Sequence, residues 1–169
     1  MEEKQGIKGS KRDMAKNEEY WPKFKKDNNH RQIILVDDDE EDRQIFTSAL
    51  ESLNLNAEIH QFNNGVDLMA YLLNSSAQLP DLIFLDLNMP LMNGEECLSD
   101  IRSEARLNKI PVIIYSGYHD SFKMEILKKK GADHYFLKPN TFSELKRLIK
   151  ESISSLGKKQ KMFRDFIIE

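Results

Sequence analysis

Three runs of consecutive apolar residues constrain this chain more than any other feature: Ile33-Ile34-Leu35-Val36, Leu82-Ile83-Phe84-Leu85 and Val112-Ile113-Ile114-Tyr115. A strand that is apolar at every position has no face to offer water, so it must lie inside a sheet covered on both sides, as in parallel α/β sheets. Segments with helical spacing follow each run. Ile45, Ala49 and Leu53, with Phe46 and Leu50 beside them, predict a first helix face, and Asp39 with Asp42 puts acids where a helix N-terminus favours them. Ile59 and Phe62 mark a shorter strand, followed by a face of Val66, Met69 and Leu73. Cys97, Ile101 and Ala105 mark the next helix, Phe122 and Ile126 start another, and Tyr135-Phe136-Leu137 form a last short strand. Thr141 and Glu144 make a capping-box pattern opening a final helix along Leu145, Leu148, Ile149, Ile153 and Leu156. Five strand-then-helix units predict an α/β fold, a doubly wound parallel sheet with helices on both faces.

The two ends of the chain lack this pattern. Residues 1–31 hold nine basic and six acidic groups, with apolar side chains scattered except for Tyr20-Trp21-Pro22 and Phe24, and read as a flexible extension. Residues 32–156 read as the domain. Residues 157–169 mix basic and apolar groups after Gly157, and read as a frayed tail or a short docking segment. No apolar run approaches the roughly 20 residues of a spanning helix, and the N-terminus lacks a signal-peptide core, so no membrane insertion and a cytoplasmic location are expected. A lone cysteine, Cys97, excludes an internal disulfide and a thiolate zinc cage. The net charge of −3 argues against direct DNA binding.

In a sheet of this kind ligands bind beyond the carboxyl ends of the strands. Polar residues end four of the five strands: Asp37 and Asp38, Asp86, Ser116 and Lys138. Each alone has a bland reading as a cap, a turn or a strand-end charge. Together they put three acids, a hydroxyl and an ammonium on one rim. Carboxylates about 5 Å apart repel by roughly 3 kcal/mol per pair at an effective dielectric near 20, so the cluster calls for a cation. Oxygen ligands without His or Cys select a hard one, Mg²⁺. A carboxylate neutralised in this way can attack phosphorus, while the metal, the ammonium and the hydroxyl share the charge of the phosphoryl oxygens.

Four stretches carry a family resemblance: Ile34–Asp39; Pro80–Pro90 with Met92-Asn93-Gly94; Ile110–Gly117; and Gly131–Pro139. In this order and spacing they resemble the CheY-like receiver domain of bacterial response regulators, over about residues 32–155. The resemblance implies a flavodoxin-like (βα)5 fold with strand order 2-1-3-4-5, and Asp86 as phosphoacceptor. It implies Asp37 and Asp38 as the acidic pair holding Mg²⁺, with the Asn88 carbonyl as a further ligand. It gives Lys138 and Ser116 to the phosphoryl group, a cis Lys138–Pro139 bond, and Tyr135 as an aromatic switch. The partners implied are a sensor histidine kinase or histidine phosphotransfer protein and a downstream protein target. Such a protein is no enzyme beyond its own phosphorylation and dephosphorylation. The short end segments suggest the stand-alone, single-domain type.

Ser116 stands where the family often has Thr, and Asn140-Thr141 makes a variant loop after Pro139; neither removes a functional group. Asp39 reads as a helix cap, not a ligand. His30, His60, His119 and His134 have no paired metal spacing, Cys97 reads as core, and Gly94 and Gly131 read as loop or helix-end glycines. A haloacid-dehalogenase-like phosphohydrolase would use Asp37, Asp39, Ser116 and Lys138. It also needs a later acidic pair, for which only Glu144 and Glu151 remain, and it leaves Asp86 to Pro90 unexplained. A pseudo-receiver that binds without being phosphorylated would lack one of the key side chains, and none is missing.

Overall fold

The structure, a computed structural model, describes residues 31–156 and 166–168. In chain order these form β1 (Arg31–Val36), α1 (Glu40–Ser52), β2 (Ala57–Phe62), α2 (Gly65–Leu73), β3 (Leu82–Leu85), α3 (Gly94–Ser103), β4 (Val112–Ser116), α4 (Ser121–Lys129), β5 (His134–Leu137), α5 (Phe142–Ser155) and β6 (Ile167–Ile168). The strands make one sheet in the order β2-β1-β3-β4-β5-β6, with every pairing parallel. Residues 1–31, read from the sequence as a flexible extension, lie outside the described residues except for Arg31, which opens β1 and pairs with Ala57.

Alternation along the apolar runs builds two cores. Ile34, Val36, Ile83, Leu85, Val112 and Ile114 face α2, α3 and α4. Ile33, Leu35, Leu82, Phe84, Ile113 and Tyr115 face α1 and α5, where Phe46 stacks edge-on against Phe84 and Tyr115. Both faces are covered, as the unbroken apolar runs require.

Several helix faces are rotated from the sequence reading. On α1 the sheet side is Phe46, Ala49 and Leu50, while Ile45 is 42% exposed. On α2 it is Leu68, Met69 and Leu72, while Val66 and Leu73 are exposed. Leu98 joins Cys97 and Ile101 on α3, which ends before the exposed Ala105. On α4, Met124 and Leu127 are buried and Phe122 is 74% exposed. Residues one position apart lie about 100° apart on a helix, so an apolar residue at the edge of the true stripe can mimic its centre. The α5 face is as read, and its Thr141 cap accepts the Glu144 N–H at 3.3 Å.

The sheet has six strands where the sequence pattern gives five. Its edge at β5 would expose unpaired backbone groups. The tail supplies partners: Tyr135 N–H donates to Phe166 O at 2.8 Å, and Ile167 and Ile168 pair with Tyr135 and Phe136. Phe166 is fully buried, packed near the Tyr135 ring and below the Lys128 ammonium. Residues 157–165 of the tail fall outside the described residues.

Candidate functional site

The rim at the carboxyl ends of β1, β3, β4 and β5 gathers the polar strand-end residues. β1 is followed by Asp37, which is buried, and Asp38, which is exposed. Asp39 then caps α1, accepting the N–H groups of Glu41 and Asp42 at 2.8 and 3.2 Å, as the sequence reading expects. The Asp39 N–H in turn donates to Asp37 Oδ1 at 3.0 Å, so the helix start fixes the acid before it.

Asp86 follows β3 directly and is 5% exposed. Its Oδ2 accepts the Asn88 N–H at 3.0 Å, and its own N–H donates to Val36 O at 2.9 Å, which locks it to β1. Behind it stands Gly94, the first residue of α3, where a Cβ would meet the Asp86 carbonyl oxygen at 2.1 Å. Only glycine permits α3 to begin this close to the loop.

One oxygen each from Asp37, Asp38 and Asp86 lies within 4.8 Å of the others, an all-carboxylate group able to hold a divalent cation. Burial pushes the Asp37 carboxyl up despite the hydrogen bond and charge of Lys138. Burial likewise raises Asp86, with Lys138 opposing and Asp37 adding to the rise. Burial therefore disfavours the ionised form of both groups, and positive charge nearby favours it.

Lys138, after β5, supplies part of that charge. Its Nζ lies 2.7 Å from Asp37 Oδ2, 2.8 Å from Asp42 Oδ2 and 3.7 Å from Asp86 Oδ1. Burial disfavours this ammonium, but the hydrogen bonds to Asp37 and Asp42 outweigh it and raise its pKa. The expected cis Lys138–Pro139 bond is absent: the peptide is trans. Trans is the lower-energy isomer even before proline, and from it Lys138 already reaches the carboxylates.

Ser116 ends β4 and is buried; its Oγ accepts the Tyr118 N–H at 3.3 Å. Tyr135 is fully buried, and its hydroxyl donates to the Tyr118 carbonyl. The two polar ends of one residue, Tyr118, thus connect the Ser116 hydroxyl to the Tyr135 ring.

The structure brings Asp37, Asp38, Asp86 and Lys138 together, with Asn88 and Ser116 beside them. It adds residues that sequence reasoning did not place here. Asp42 pairs with Lys138, Arg43 Nη1 donates to Asp37 O at 2.7 Å, and the Tyr115 ring lies 5.0 Å from Lys138 Nζ. The signal for Asp42 was present as an acid one turn beyond the strand-end acids, but nothing local ties it to a lysine 96 residues away. Cys97 is core, as expected, its thiol pushed by burial up to about 12.

The response regulator receiver domain family matches residues 33–150, more than half of the chain. Response regulator Rcp1 of Synechocystis is 25% identical over 112 residues, covering 64% of this chain and 76% of that protein. Hybrid signal transduction histidine kinase D of Dictyostelium discoideum is 35% identical over 122 residues, 70% of this chain but only 8% of that protein. The crystal structure of the phosphorylated cyanobacterial phytochrome response regulator RcpA superposes with a TM-score of 0.67 at 31% identity, over 73% of this chain and 91% of that one. Among the described residues, no helix is long and apolar enough to cross a membrane.

Proposed function

The chain belongs to the response regulator receiver domain family, and from that membership we propose that it is a phosphoacceptor of a two-component system or phosphorelay. In this reading Asp86 receives a phosphoryl group from a sensor histidine kinase or a histidine phosphotransfer protein. The modified protein then binds a downstream protein target differently. The observation that carries the reading is the convergence on Asp86 of two acids from β1 and one ammonium from the end of β5. The relative that is a hybrid signal transduction histidine kinase supports a histidine donor.

In the transfer, an Asp86 carboxylate oxygen bonds to phosphorus as the bond to the donor's histidine nitrogen breaks, its electron pair staying on the imidazole. Asp37, Asp38 and Asp86, with the Asn88 carbonyl, would hold Mg²⁺, which would neutralise the carboxylates and share the phosphoryl charge. Lys138 contributes an ammonium 3.7 Å from Asp86 Oδ1, close enough to meet an oxygen of the incoming group. The Asn88 N–H orients the carboxylate. Ser116 offers its hydroxyl to a phosphoryl oxygen; doing so changes its link to Tyr118 and hence the seat of the Tyr135 ring, a discrete packing change able to reach the surface.

The dehalogenase-like alternative finds no support at its missing acidic pair. Glu144 and Glu151 both pair with Arg147 along α5. The test is incubation with acetyl phosphate and Mg²⁺ followed by intact mass measurement: the parent gains one phosphoryl group and Asp86→Asn gains none. Mg²⁺-dependent labelling of that variant would overturn the assignment of Asp86.

A further inference from the structure

The Lys138 ammonium is held among groups from several elements, and they do not play equal parts. An ammonium has three N–H donors. Asp37 Oδ2 at 2.7 Å and Asp42 Oδ2 at 2.8 Å take two of them. One is left for Asp86, at 3.7 Å, or for a group bonded to it. The ring of Tyr115 bounds the remaining side, 5.0 Å from Nζ to its centroid.

Of the two anchors, Asp37 belongs to the three-carboxylate group and Asp42 does not. A cation held by Asp37 draws on the same carboxylate that holds Lys138 and repels the ammonium as a like charge. Asp42 sits in the first turn of α1, with its N–H tied to the Asp39 cap at 3.2 Å, so its place is set by the helix start. It is the anchor whose hold on Lys138 does not depend on the cation.

We propose that Asp42 is a positioning residue that keeps the Lys138 ammonium beside Asp86 while Asp37 serves the cation, leaving one N–H for the phosphoryl group. This rests on the phosphoacceptor reading above. It is opposed by a simpler account, in which Asp42 is only a negative charge near an anionic donor. The two differ in sign. Removing a repelling charge speeds labelling, whereas removing an anchor slows it.

The experiment follows acetyl phosphate labelling of the full chain with Mg²⁺ by intact mass, across donor concentrations. It compares the parent with Asp42→Ala, Asp42→Asn, Lys138→Ala and Asp42→Ala/Lys138→Ala. The expected result for Asp42→Ala is a maximal rate about tenfold lower, the scale of a catalytic group displaced by a fraction of an ångström, with little change in half-saturating donor concentration. Asp42→Asn keeps an acceptor oxygen and recovers part of the rate. In the Lys138→Ala background Asp42→Ala has no further effect, because the residue acts through the lysine. A second readout is independent of labelling: the ¹⁵N ammonium resonance of Lys138 in the Mg²⁺-loaded parent is lost in Asp42→Ala, while Mg²⁺ affinity by calorimetry is retained. Labelling of Asp42→Ala at or above the parent rate, or equal slowing in the Lys138→Ala background, overturns the proposal. Parent-rate labelling of Lys138→Ala also overturns the proposal, since the residue Asp42 acts through would then play no part, whereas labelling of Asp86→Asn overturns the phosphoacceptor reading itself.

Discussion

Substituting Gly94 by Ala tests how tightly α3 is built against the Asp86 loop. An added Cβ would lie 2.1 Å from the Asp86 carbonyl oxygen and 3.0 Å from both Asp86 C and Leu87 Cα. All three are backbone atoms, so no side chain can swing aside. The loop and helix must part by about 1 Å to reach ordinary contact distances. That movement also strains the Gly94 N–H bond to Leu87 O, now 3.0 Å. Overpacking costs about 1–3 kcal/mol and a weakened hydrogen bond about 1 kcal/mol, together roughly 2–4 kcal/mol. For a domain of this size each kcal/mol lowers the melting temperature by about 3–4 °C, so a loss of roughly 6–16 °C is expected by circular dichroism. The displaced atoms belong to the proposed phosphoacceptor, so acetyl phosphate labelling should also slow by at least about tenfold. Gly117→Ala is the stability control, since a Cβ there meets nothing within 4 Å. A Gly94→Ala protein that melts within a degree of the parent and labels at its rate would refute the reasoning.

Three further outcomes are expected. Mg²⁺ should raise the melting temperature of the parent and have much less effect on Asp38→Ala, because the variant loses one of the three clustered carboxylates; an equal rise would locate the cation elsewhere. Asp37 and Asp86 have carboxyl pKa values raised by burial, so the folded state binds protons that the unfolded state releases, and their contribution to stability falls as pH rises from about 4 through the raised values. In metal-free protein the stabilisation gained by Asp86→Asn should therefore be larger at pH 7 than at pH 5, and a difference that shrinks with rising pH would contradict the burial argument. Ser116→Ala should still accept phosphate on Asp86 but show weaker protection changes over residues 116–140 in amide exchange with beryllofluoride, and a full parent response would remove Ser116 from the switch.

The fold was legible where burial acts on whole segments. Four consecutive apolar residues in β1 and β3 admit only a doubly covered strand, and the polar residue after each run marks the rim. Helix faces were less legible, because Ile45 and Phe122 carry the same apolar chemistry as the residues that point inward, and only the sheet decides which stripe it contacts. The sixth strand gave no signal. Two isoleucines after Phe166 are too short for a period, and their pairing depends on an edge that exists only once β5 is in place. The three clustered acids and Lys138 were found because each follows a strand directly, whereas Asp42 and Gly94 act through contacts made after α1 and α3 are folded.

The charges at the rim also explain why the site is built across so many elements. Lys138 is drawn by Asp37, Asp42 and Asp86 at once, while Asp38 lies in the carboxylate cluster without an ion pair to it. One ammonium cannot neutralise four acids. Placing the acids on β1, α1 and the β3–α3 loop leaves their repulsion to be borne by separate backbone anchors: the Asp39 N–H for Asp37 and the Asn88 N–H for Asp86. These anchors hold the carboxylates in position but add no net charge, so the site stays negative and electrostatically unfinished. A dication held by the clustered carboxylates would lower that charge. In the proposed reaction, the phosphoryl group then adds negative charge again, next to the one side chain, Lys138, whose third N–H the two anchoring carboxylates leave available.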